Sequence, residues 1–273
     1  MARRKTRHAH PLKTSAPPVS EQPRPRWWAD IHRNADANLR LGCTLAAIAG
    51  ATNAGGFLAV GQYTSHMSGI LSSVADNLVL GQLQLALTSV VLVAAFLGGS
   101  ITTAWMVNWS QRREMRSAFA RPLLVEAFLL LVFGLFGAAI DAFGGHFVSL
   151  TVLLLCFIMG LQNAVITKVS HSEIRTTHVT GLLTDLGIEL GKVLYFNRTN
   201  LADRVVANQR KLRIHGLLVI SFFGGALVGA FGFKFVGYIS TLPLALVLLA
   251  LSWGPLLDDM QHGRFTSGPR QAT

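Results

Sequence analysis

Six apolar stretches, at 39–61, 83–107, 122–141, 147–167, 214–237 and 238–256, constrain this chain more than anything else in it. About 20 apolar residues cross the hydrocarbon core of a bilayer as an α-helix. No water is present at that depth, so every backbone N–H and C=O must find its partner within the segment, which a helix alone achieves for a single stretch. The expected fold is therefore all-α: a polytopic helical membrane protein whose first partner is the lipid bilayer. Only 14% of the residues are charged, against about 25% in a soluble domain, and this agrees with that class.

A motif that occurs twice divides the chain further. The first copy runs Gly50-Ala51-Thr52-Asn53-Ala54 and then Thr64-Ser65-His66-Met67-Ser68-Gly69-Ile70-Leu71. The second runs Gly160-Leu161-Gln162-Asn163-Ala164 and then Thr176-Thr177-His178-Val179-Thr180-Gly181-Leu182-Leu183. Both give G-x-[TQ]-N-A followed by T-[ST]-H-x-[ST]-G-x-L, and an internal repeat decides architecture before any local feature does. Gly98-Gly99 corresponds to Gly224-Gly225, and Pro122-Leu123 to Pro243-Leu244, so each half holds three spans and one motif segment. Three spans is an odd number, which makes the expected arrangement a 3+3 inverted repeat. The halves are 39–141 and 147–257, and the motif segments 64–81 and 176–191 are too polar and short to be ordinary spans. They are expected to be re-entrant or broken helices, one entering from each face.

Charge sets the expected orientation. Residues 1–38 form a basic tail without apolar periodicity, expected to be disordered, in which Trp27 and Trp28 could lie at the headgroups. Basic residues recur at Arg112, Arg113, Arg116 and Arg121 and again from Lys192 to Arg213, whereas the link containing Gly144-Gly145 has none. By the positive-inside rule both termini, including the short tail 258–273, are cytoplasmic, and the expected location is a bacterial inner membrane. The net charge of +11 fits anionic lipid at the tail and loops rather than nucleic acid, since no soluble domain carries a basic face.

Polar groups within a bilayer are costly and tend to face a bundle interior or a watery cavity. Asn53 and Asn163 stand at matched positions, suited either to interhelical hydrogen bonds or to a ligand. His66 and His178, with Ser68-Gly69 and Thr180-Gly181 after them, read as the starts of half-helices. Their hydroxyls are expected to cap free N–H groups, and such helix starts favour anions. The eight candidate substrate-binding residues are Asn53, His66, Ser68, Gly69, Asn163, His178, Thr180 and Gly181, for a small-molecule or anionic solute. Asp76, Glu126 and Asp185 are the candidates for ion or proton coupling, although Glu126 could pair with Arg121, and Asp185 and Glu189 with Lys192.

Other chemistry finds little support. Two histidines without fixed carboxylates make a weak metal set, so no metal is expected. Gly55-Gly56 lacks a P-loop lysine, and no cofactor is expected. Cys43 and Cys156 read as core residues, and no hydrolase signature is present, so the chain is not expected to be an enzyme.

With Gly50, Asn53, Ala54 and Phe57, His66-Met67-Ser68-Gly69, Gly160-Leu161-Gln162-Asn163-Ala164 and Thr176-Thr177-His178-Val179-Thr180-Gly181, the chain resembles the YoaK family of bacterial inner-membrane proteins over most of 39–257. Relatives often carry aspartate where Asn53 stands, and T-G-N where Ser68-Gly69-Ile70 stands. The resemblance implies a polytopic membrane protein and brings no activity, substrate or cofactor. Two function classes follow from the residues: a transporter or permease-like protein for a small solute, or a non-transporting membrane scaffold or binding protein.

Overall fold

The computed structural model describes residues 35–143, 146–170, 178–196 and 204–261. The basic tail with Trp27 and Trp28, Gly144-Gly145, Thr176-Thr177, Arg198 and the end beyond Gln261 lie outside the described residues. Among the described residues there are eight α-helices: α1 Ala35–Val60, α2 Met67–Val79, α3 Leu83–Arg112, α4 Ala120–Phe143, α5 His146–Val169, α6 Val179–Leu194, α7 Gln209–Phe235 and α8 Thr241–Gln261. No strand occurs among the described residues. Six segments, which hold every helix except α2 and α6, are long and apolar enough to cross a membrane. The protein is a multi-pass, all-helical membrane protein.

The expected sixth span started at Tyr238, but residues Gly237–Ser240 form a 3-10 turn and α8 begins at Thr241. Gly237 has φ +74°, a conformation that breaks the chain cleanly between helices only because glycine has no Cβ. Tyr238 then turns inward, edge-on to Phe133 at 5.8 Å between ring centroids.

Close crossings at glycine set how the helices pack. A Cβ on Gly225 would overlap the backbone of Ala47, one on Gly229 that of Ala51, and one on Gly55 the ring of Phe233. These contacts climb together along the two sequences, so α1 and α7 run parallel. Without a hydrophobic force between helices in lipid, such small-residue contact is what lets them associate. The pair α3 and α5 crosses the same way: a Cβ on Gly99 would overlap the carbonyl of Phe157, Thr103 Oγ1 donates to Leu161 O at 3.0 Å, and Lys168 Nζ to Asn108 Oδ1 at 2.8 Å. The correspondence reaches single atoms. Gly50 faces the carbonyl of Phe222, and Gly160 faces that of Phe96; Phe96 and Phe222 are themselves three residues before Gly99 and Gly225.

Other contacts fix the remaining directions. Gln162 Nε2 donates to Leu45 O at 3.2 Å while Gly56 abuts Leu155, so α1 and α5 are antiparallel. Helix α4 packs on both α5 and α8. At one end of the α4–α8 pair Asp259 accepts from the backbone N–H groups of Arg116, at 3.0 Å, and Ser117, at 2.8 Å, while Arg116 pairs with Asp258 at 3.1 Å. Nothing in the sequence pattern singled out Asp258 or Asp259, because their partners lie more than 140 positions away.

Candidate functional site

The site begins where α1 ends. Helix α2 lies antiparallel to α3, with Ser73 Oγ and Ser89 Oγ 3.0 Å apart, and therefore continues in the direction of α1. The two form one passage broken at residues 61–66, where Gly61 takes φ +72°. In the break the chain folds back until Ser65 donates to Asn53 Oδ1 from both its N–H, at 3.3 Å, and its hydroxyl, at 2.9 Å. Asn53 thus ties down the fold-back. Its counterpart Asn163 donates to Met159 O at 3.0 Å and holds a further interaction.

Each half-helix after the break starts at histidine. His66 has φ −88° and ψ 65°, His178 φ −83° and ψ 57°, and neither cap carries a side-chain hydrogen bond. In the first motif the expected hydroxyl cap therefore does not form, while Thr176 and Thr177 of the second lie outside the described residues. Histidine itself occupies the N-cap, and the Ser65 hydroxyl is spent on Asn53. The spacing H-x-[ST]-G has a steric cause as well: a Cβ on Gly69 or Gly181 would overlap the imidazole of His66 or His178, which lies back over the first helical turn. First-turn N–H groups have no partner within their own helix, and they make each helix start its positive end.

Both motifs open onto one cavity of about 510 Å³, lined by Ser65, His66, Met67, Ser68, Phe96, Asn163, Thr167, His178 and Thr180. Of the eight substrate-site candidates, His66, Ser68, Asn163, His178 and Thr180 meet there. Asn53 stands behind Ser65, and Gly69 and Gly181 lie beneath the imidazoles. Sequence reasoning missed Ser65, Met67, Phe96 and Thr167. Ser65 sits inside the motif and was passed over for its neighbour; Phe96 gave no polar signal at all.

The three acidic candidates do not join them. Asp76 and Asp185 are exposed on α2 and α6, outside the described lining. Glu189, rather than Asp185, takes Lys192, at 2.8 Å, and also accepts from Asn208 N at 2.7 Å. The Lys192 hydrogen bond, then the Asn208 one, holds its carboxyl below the usual range. Glu126 is fully buried on α4 with no partner for either oxygen. Its expected pairing with Arg121 does not form, because that guanidinium lies over the Trp109 ring, 4.8 Å from the centroid.

Fold and site together define a multi-pass membrane protein in which the starts of two short helices, α2 and α6, line one cavity of mixed polar and apolar character. The chain belongs to the family described as protein of unknown function (DUF1275), which it matches over residues 41–253. It is 28% identical over 212 residues to the UPF0700 transmembrane protein YoaK of Bacillus subtilis (strain 168), a match that covers 74% of this chain and 88% of that protein. No solved structure matches the chain.

Proposed function

We propose that the protein is a permease for a small polar solute, with anionic groups favoured, and that the cavity between the two broken helices is its binding site. The observation that carries this reading is the convergence of both motifs on a single cavity of about 510 Å³, a volume within the roughly 300–1,000 Å³ of ligand sites. The N-termini of α2 and α6, whose first residues line it, supply positive potential without a fixed charge. The paired crossings of α1 with α7 and α3 with α5 support an inverted repeat, the arrangement in which discontinuous helices commonly meet at a midplane site. The orientation that goes with it has both termini and the arginine-rich α3–α4 link on the cytoplasmic side.

The test is flux. Purified protein in proteoliposomes, screened with a panel of small carboxylates, phosphate and neutral polar solutes, is expected to admit at least one of them faster than empty vesicles. Protein that is folded, correctly inserted and inert to the whole panel would favour a scaffold that merely binds.

A further inference from the structure

Most of the other buried acids among the described residues have identifiable work: Glu189 bonds Lys192 and Asn208 N, and Asp258 and Asp259 hold Arg116 and Ser117. Glu126 stands apart. It is 0% exposed, and both its oxygens lack a partner. On α5, which packs on α4, Gln162 Oε1 is likewise buried without a partner. Charged groups on the elements packed against α4 lie elsewhere: Arg112 ends α3, Lys168 bonds Asn108, and Asp258 and Asp259 are engaged at the Arg116 turn. On α4 itself, Arg121 is turned to Trp109. Tyr238 packs on Phe133, and Cys156 sits among Ile70, Leu92 and Val152.

An isolated carboxylate cannot remain ionised in such a place; it takes up a proton instead. We propose that Glu126 is a proton-binding group, neutral while α4 and α5 are packed together, and that loss of its proton to entering water is linked to loosening of that interface and widening of the cavity. Helix α5 is the shared wall: Asn163 and Thr167 line the cavity while the same helix packs on α4. This inference rests on the cavity reading above.

Two measurements test it on the full chain in nanodiscs. The infrared C=O band of a buried carboxylic acid is expected at neutral pH and is expected to vanish in Glu126→Gln, which preserves the shape of the protonated acid; a spectrum unchanged by that substitution would overturn the proposal. Single cysteines at Ser68 or Thr180, with Cys43 and Cys156 replaced by serine, are then reacted with a small charged thiol reagent across a pH series. Relative to the same cysteine in Glu126→Gln, the labelling rate is expected to rise by up to about tenfold per pH unit, as the ionised fraction of one carboxyl does below its pKa. Labelling without that difference would sink the proton link and leave the cavity standing. Absence of labelling at both positions at every pH would remove the cavity itself, and the inference with it. Glu126→Leu, which also abolishes the acid, is expected to behave as the glutamine variant does.

Discussion

Gly50→Ala and Gly160→Ala are each expected to destabilise the folded protein by about 1–3 kcal/mol, the usual cost of forcing an extra group into a filled interior. The reason is what the new methyl group would meet. At Gly50 it is the carbonyl of Phe222 and at Gly160 that of Phe96, and backbone cannot rotate aside as a side-chain tip can. Separation of α1 from α7, or of α3 from α5, would forfeit contact along the whole crossing. Gly224→Ala supplies the control: nothing lies within reach of a Cβ there, and alanine improves helix propensity by up to about 1 kcal/mol. Unfolding of the purified variants in one detergent would show the contrast. Losses below about 0.5 kcal/mol at Gly50 and Gly160, the scale of a neutral surface change, would mean that the helices do not approach as described.

His66→Ala and His178→Ala should act differently, on uptake and hardly on stability. Both imidazoles are exposed and neither forms a side-chain cap, so stability should change by no more than about 0.5 kcal/mol. Uptake of a solute found by the flux screen is expected to fall with each single change. The double variant is expected to fall short of the summed losses by about 0.5–3 kcal/mol, as residues of one network do. Gly69→Ala and Gly181→Ala should reproduce part of each loss without touching a histidine, since the added methyl group displaces the ring. Full activity in both histidine variants would leave the imidazoles with no part in binding.

Much of this architecture was legible in the sequence because hydropathy and periodicity are local. The six spans follow from backbone satisfaction in lipid, and all six helices begin within a few residues of the expected start. In the sixth, the positive φ of Gly237 and the 3-10 turn after it set the helix start at Thr241. The repeat identified Gly98-Gly99 with Gly224-Gly225, but only Gly99 and Gly225 lie at the crossings; which face of a helix is turned inward depends on its partner. Hydroxyls near a helix start read as caps, yet Ser65 is taken by Asn53, twelve residues earlier. Equivalence of His66 and His178 was visible from the motif. Their meeting in one cavity was not, since it depends on long-range packing such as the α1–α5 antiparallel pair, which no local pattern reports.

That meeting is the central claim, and intramolecular bridging tests it most directly. Cysteines placed together at Ser68 and Thr180, in protein lacking Cys43 and Cys156, are treated with a short hydrophilic reagent carrying two thiol-reactive ends. Intact mass measured on the monomeric chain is expected to show one reagent joined to both cysteines in most molecules. Two reagents per chain, each attached at one end only, would mean that the motifs open onto separate spaces and would contradict the shared site.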